Sequence, residues 1–341
     1  MALALAASYS GPPAPSLGGV LTAWRFDPVG VGLALTLGVP YLLALARLSR
    51  RRDRWSPSRT ASYLVGGVGT VLVATTGWVG VYAPVLFWAF VVQVLVLLVV
   101  APVFLAAGRP LVLAHRTLPP GASRGLLRVA GSPPLRLVES PLVAPLLVPV
   151  VLGAVFFTGL LSAGLRSAVV LAAVQVGLLA IGFLLALGLT GDGLSESNSG
   201  AIAAGLFVGF LELLLDAVPG IAVRLRTHLL APAYFTALHR PWGPSLLAAQ
   251  QRGGAVLWFV AEFADLPFLG ILVRRWIRAD QRETARVDAA LDAEGPPVID
   301  SAEAAERGPD RFAPWWESDP SRLGSARSAR YRTGNDHPPD R

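Results

Sequence analysis

The chain has 341 residues, 53% of them hydrophobic and 15% charged, with a mean hydropathy of +0.56. Soluble domains carry about 25% charged residues, so composition alone places this chain in a lipid bilayer and offers no case for a nucleic-acid partner. Cys is absent, which excludes disulfides, zinc–thiolate sites and thiol nucleophiles; Lys is absent too, and the net charge of +7 needs no acidic partner beyond basic loops facing the cytoplasm and a charged tail.

In chain order, residues 1–27 form a Pro/Gly-rich head with no basic n-region and no long apolar h-region, so a cleaved signal peptide is not expected. The head ends in Trp24, Arg25, Phe26 and Asp27, an interfacial anchor before the first span, about residues 28–46, where Pro40 predicts a kink. The Arg-rich loop from Arg47 to Arg59, around Trp55, fixes its side of the membrane as cytoplasmic. The second span, about residues 60–81, has Gly66, Gly67 and Gly69 for close helix contact. The third, Leu86 to Ala107, is uncharged and about as long as a bilayer is thick. Nothing in lipid satisfies an amide, so Gln93 inside it must face other helices or a wet cavity.

A second basic loop fills residues 108–139, with Arg109, His115 and Arg116 near its start. The fourth span, about residues 140–161, has Pro141, Pro145 and Pro149 on one face, which predicts a bend in its first half. The fifth is about residues 167–189, with Gln175 as its strongly polar residue, and a polar loop, Gly191 to Ser199, returns the chain on the cytoplasmic side. The sixth is about residues 200–223, with Glu212 and Asp216, and the seventh about 253–273, with Glu262 and Asp265. The outer loop between them, residues 224–252, contains Arg224, Arg226, Arg240 and Arg252 against the positive-inside trend, yet the six other crossings set its side.

The reading is an all-α, polytopic integral membrane protein of seven transmembrane helices, amino terminus outside and carboxyl terminus cytoplasmic, multi-pass in a bacterial plasma membrane. Residues 1–27 are the extracytoplasmic head, 28–273 the membrane domain, 274–293 a charged cytoplasmic helix and 294–341 a disordered tail in which Pro, Gly, Ser, Arg and Asp dominate. Trp315 and Trp316 interrupt that tail, either as an interfacial or partner-binding motif or as two aromatics in a coil.

Carboxylates inside a membrane are costly and are functional candidates by default. Glu212 and Asp216 stand i, i+4 on one helix face, where two like charges in low dielectric do not readily both ionise. They read as a proton path or cation site with Glu262, or as carboxyls hydrogen-bonded to a neighbouring helix. The 4 histidines, His115, His228, His239 and His337, all lie outside the spans and read as surface residues rather than ligands. No Walker sequence, dinucleotide fingerprint or nucleophile elbow occurs, and no enzymatic activity is expected.

Several stretches in order resemble the seven-span CtaG-type cytochrome c oxidase assembly proteins in their actinobacterial form, over about residues 20–293. Trp24-Arg-Phe-Asp27-Pro28, Tyr41 and the Arg47–Arg59 loop with Trp55 are similar to that family's head and first loop. In span three, Phe87, Ala89, Val92 and Gln93 match its Phe-Ser-Ala-His-Met-Val-Gln-His segment, and Ala101-Pro102 and Gly108-Arg109-Pro110 its Ala-Pro and Gly-x-Pro. Gln250-Gln251-Arg252-Gly253-Gly254 with Trp258 and Glu262 resembles its Asp-Gln-Gln-x-Gly-Gly…Trp…Glu run, and Trp276 to Glu283 with Arg286 and Asp288 its charged extension. The resemblance marks Gln250 and Gln251 as candidate polar residues beside Gln93, Glu212, Asp216 and Glu262.

The resemblance implies help in building the oxidase's copper centre, with oxidase subunits or other assembly factors as partners. The family's paired span-three histidines, however, correspond to Phe90 and Val94, its span-six histidine to Asp216, and the Asp opening its Gln-Gln run to Ala249. The expectation is therefore a scaffold or partner-binding protein without its own metal or other cofactor. Two alternatives stand: a copper carrier with Asp216, His239 and Glu262 as substitute ligands, disfavoured because Cu(I) prefers soft donors, and a proton-coupled transporter or channel using the intramembrane carboxylates.

Overall fold

The computed structural model describes residues 9–130, 132, 143–190 and 199–294. The tail that carries Trp315 and Trp316, the polar loop at 191–198 and the first residues of the expected fourth span lie outside those residues. Among the described residues every regular element is a helix, and there are no strands. The chain divides into two compact units, Met1–Asp280 and Gln281–Arg341, and the first contains the helix bundle.

A short helix α1 (Leu17–Thr22) is capped by Ser16, whose Oγ accepts from Gly19 N at 3.0 Å. Helix α2 (Pro28–Arg50) begins at Asp27, whose carboxylate accepts from Val29 N and Gly30 N, with Pro28 at the position where a missing N–H costs nothing. Helix α3 runs Pro57–Tyr82 and α4 Phe87–Ala107. Two short helices follow, α5 (Pro110–Thr117) and α6 (Pro120–Ala130). Next come α7 (Ala144–Phe157), α8 (Leu160–Arg166), α9 (Ala168–Thr190), α10 (Ser199–Leu225), α11 (Pro232–Ala237) and the 49-residue α12 (Leu246–Glu294).

Among the described residues, four helices are long and apolar enough to cross a membrane: α2, α3, α4 and Ala168–Gly188 within α9. A fifth candidate is the pair Leu146–Phe157 and Leu160–Arg166. The central one, α4, is the most enclosed, with 67% of its apolar window buried against 22% for α2 and α9. Around it the core gathers Leu97, Leu98, Ala101 and Leu105 of α4, Val71 and Ala74 of α3, Leu152 and Phe156 of α7, and Leu178 of α9. Outward-facing apolar residues such as Leu35, Val65 and Val169 are what a lipid-facing surface requires.

Small residues let these helices touch. A Cβ added at Gly67 would lie 2.5 Å from Leu105 Cδ2, so α3 and α4 pack as close as glycine allows, whereas Gly69 meets only its own helix. Within α4, Pro102 cannot donate to the Leu98 carbonyl four residues back. The helix widens into a π turn over Val96–Val100, and Gly182 of α9 packs so closely that a Cβ there would fall on the Leu98 oxygen.

In the described part of the expected fourth span, the sharp bend lies later than the prolines suggest. Pro145 sits in the first turn of α7 and Pro149 inside it, yet the sharp bend, 60°, falls between α7 and α8. Thr158 makes it: its backbone is extended, its hydroxyl donates to Ala154 O at 2.5 Å, and its Oγ1 accepts from Leu160 N at 3.2 Å. One side chain thus closes the first helix and opens the second.

Candidate functional site

The site grows from a break in α3. After Thr75 the helix stops at Thr76 and Gly77 and restarts at Trp78, leaving carbonyls of its last turn without helical donors. Two distant groups supply them. Gln93 of α4, 4% exposed, donates its Nε2 to Ala74 O at 2.7 Å, and the backbone N–H of Arg25, at the end of the head, donates to Thr76 O at 2.8 Å. The threonine hydroxyls turn back on their own helix, Thr75 to Val71 O and Thr76 to Leu72 O. Gln93 therefore faces a neighbouring helix, as its position in an apolar run requires, and its amide caps a helix end.

A second buried glutamine does the same for a loop. Gln250, in the first turns of α12 and 1% exposed, accepts from Leu230 N at 2.6 Å and donates to His228 O at 3.0 Å. It pins residues 228–230 just before Ala231, which takes a left-handed backbone, φ 51°. A small cavity beside it is lined by Val85, Phe87, Phe235, Arg240, Leu246 and Gln250. Gln251, one position on, is only half-buried.

The glycines after this pair seat α12. A Cβ at Gly253 would lie 2.6 Å from Phe87 Cδ1, and one at Gly254 would strike Arg224 N and lie 2.8 Å from Gly220 O. Gly220 in turn lies against Trp258, with a Cβ there 2.5 Å from Trp258 N. Gly254 and Gly220 thus let the backbones of α10 and α12 meet directly, while Gly253 seats α12 against Phe87 of α4, the arrangement small residues serve between membrane helices.

Over this sits an aromatic lid. Trp242 meets Tyr9 and Tyr82 edge-on, at 6.1 and 6.2 Å between ring centroids. The Tyr9 hydroxyl donates to Pro12 O within the head, and the Tyr82 hydroxyl donates to Pro13 O, which ties the head to the end of α3. Arg240 donates to Trp242 O at 2.6 Å and Pro244 O at 2.8 Å and stacks over the Trp242 ring at 4.9 Å. Burial holds its guanidinium below the ordinary arginine value, with the neighbouring Tyr9 acting in the opposite sense. Burial also raises the Tyr9 and Tyr234 phenols. Sequence reasoning missed Arg240, Tyr9 and Tyr82; the Arg-Pro-Trp-Gly-Pro run at 240–244 was the available signal for a rigid, aromatic turn.

Phe90 and Val94 lie in the core beside Gln93. Phe90 is 3% exposed and meets Phe156 of α7 edge-to-face at 6.2 Å, and Val94 is 2% exposed. Asp216 is also buried, at 4%. Glu212 and Glu262 lie on the helical backbones of α10 and α12, and their side chains are outside the described part. His239 is exposed, with a left-handed backbone, and its Nδ1 lies 2.9 Å from Ala237 O. Among the described residues no three His, Cys, Asp or Glu gather closely enough to hold a metal ion. The i, i+4 positions of α4 offer no copper donor, only a phenyl ring and an isopropyl group packed in the core, and the sequence has no Cys.

Residues 39–279 match the family described as cytochrome c oxidase caa3 assembly factor. The chain belongs to that family. Its similarity extends to curated actinobacterial proteins of unassigned activity. Uncharacterized proteins of Mycobacterium bovis and Mycobacterium tuberculosis are each 26% identical over 298 residues, 84% of this chain and 44% of theirs. An uncharacterized protein of Mycobacterium leprae is 26% identical over 292 residues, 83% of this chain and 44% of its own. The chain thus spans less than half the length of the curated relatives it matches. No solved structure matches it.

Proposed function

We propose that this member of the caa3 assembly factor family acts as a membrane scaffold, holding oxidase components or other assembly factors during maturation, without catalysis and without a metal of its own. The observation that carries the reading is the packing of Phe90 and Val94: both side chains belong to the apolar core around α4, with no donor atom to offer. The polar residues that are buried, Gln93 and Gln250, spend their amides on backbone groups. Every such contact stiffens a surface at one end of the bundle, made of the head, the lid and the 226–246 loop, and a rigid surface is what partner binding uses.

The same reading takes α10 and α12 as the sixth and seventh crossings of a bacterial plasma membrane, with the amino terminus outside and the carboxyl terminus cytoplasmic. At about 1.5 Å per residue each is long enough to span, and the Arg-rich loops favour this orientation. Deletion of the gene should lower assembled oxidase, and complementation with the Phe90→Leu variant, which keeps the core apolar, should restore it. Oxidase assembly unaffected by the deletion would overturn the scaffold reading.

A further inference from the structure

Two loops far apart in sequence meet at the other end of these helices. Residues 47–59 join α2 to α3, and α5 and α6 come after α4; between Arg47 and Arg128 the chain carries ten Arg and a single acid, Asp53. The structure draws them together around Trp55. Arg51 Nη1 donates to Arg116 O at 2.9 Å, and the guanidinium carbons of Arg59 and Arg116 lie 5.3 and 5.8 Å from the centroid of the same indole ring. The indole is itself fixed: Trp55 Nε1 donates to the Tyr41 hydroxyl at 3.2 Å, which donates to Gly108 O at 3.0 Å, while Tyr41 stacks on Tyr63 at 3.9 Å.

Arg51, Arg52, Arg109 and Arg116 are exposed, Arg59 is half-buried, and Arg52 and Arg109 take left-handed backbones with φ of 58° and 49°. That conformation disfavours a residue with a Cβ, and it recurs at one arginine in each loop. Like charges held this close repel, and one carboxylate can neutralise one of them at most. The cluster therefore lacks most of its counter-charge within this stretch of chain.

We propose that this composite patch is a binding site for anionic phospholipid headgroups. The place argues for lipid over an acidic peptide or RNA. Arg50 ends α2, Pro57 starts α3 and Ala107 ends α4, so the patch sits where three candidate spans leave the hydrocarbon, the level at which headgroups lie. A half-buried tryptophan belongs at that level, and the planar fork of arginine matches a phosphate with two parallel hydrogen bonds. The inference rests on the membrane crossing of α2, α3 and α4 and is independent of the scaffold reading.

The test uses the full-length protein reconstituted in nanodiscs of phosphatidylcholine mixed with phosphatidylglycerol, then extracted in mild detergent and weighed with its retained lipid by native mass spectrometry. The wild type should retain phosphatidylglycerol in preference to phosphatidylcholine. The double variant Arg59→Gln/Arg116→Gln should lose that preference by roughly fivefold per guanidinium removed, and Arg226→Gln, at the other end of the bundle, should keep it. Should the double variant fail to fold, a salt titration of the wild type replaces it: the preference should fall as salt rises, because most of the patch's arginines, Arg51, Arg52, Arg109 and Arg116, are exposed. Undiminished preference in the folded double variant, or a flat salt titration, would overturn the proposal. So would unchanged lipid retention together with lost binding to a polyglutamate or RNA probe, since the patch would then dock a macromolecule.

Discussion

The two ends of the helix bundle use charged and polar side chains in opposite ways. At the end holding Gln93 and Gln250, polar groups turn inward: two amides, two phenols and the Arg240 guanidinium all hydrogen-bond to backbone carbonyls. At the other, the guanidiniums of Arg51, Arg52, Arg109 and Arg116 lie exposed on a framework fixed by Trp55 and Tyr41. The first end is built to keep a shape and the second to present charge. Neither arrangement resembles a redox-metal site, whose ligands must be held near one point with electron pairs free.

The contrast can be broken most severely in the core beside Gln93. Phe90→Ala opens a hole against Phe156, and about 3 kcal/mol of stability should go, read as a lower thermal midpoint in detergent. A neutral effect would mean that this position is not a packed core. Gln250→Ala comes next. It leaves the buried Leu230 N and the part-buried His228 O without their partner, at about 2 kcal/mol. Limited trypsinolysis should then cut faster at Arg226 while cleavage in the 47–59 loop stays unchanged, and faster cutting at both ends would show that the two are one cooperative unit.

Gln93→Leu should cost less, about 0.6 kcal/mol, the usual scale of an interhelical hydrogen bond in a membrane protein. A loss several times larger would mark Gln93 as more than a cap for α3. The mildest probe is alkaline pH. Burial raises the Tyr9 and Tyr234 phenols above the ordinary 10.0, so the folded chain favours their neutral forms. Their contribution is whole below pH 10 and is lost as pH rises through the raised folded values. Tryptophan fluorescence reporting on Trp242 should hold steady to about pH 10 and change above it, and a transition centred well below that would contradict the burial of these rings.

The long apolar runs were legible because lipid imposes one rule on them. A stretch such as 87–107, uncharged over five turns, has no soluble alternative, and the Asp27-Pro28 start of α2 follows from capping chemistry alone. Gly67 was readable as a contact point for the same reason, whereas the Gly253-Gly254 pair stood out only through the family resemblance. The bend at Thr158 was not readable, since the three preceding prolines carry a louder helix-breaking signal than one threonine hydroxyl. At the site, Gln93 had to face protein, but nothing in the sequence says which carbonyl it meets. The Gln250 clamp and the Tyr9–Trp242–Arg240 lid depend on contacts between residues as much as 233 positions apart, which local pattern does not encode.

The central claim is that this assembly-factor relative keeps its frame while giving up metal. Elemental analysis of the protein, purified in mild detergent from cells grown with added copper, tests it most directly. The account predicts copper far below one atom per chain, unchanged by Asp216→Ala/His239→Ala. One copper per chain, lost in that double variant, would contradict it.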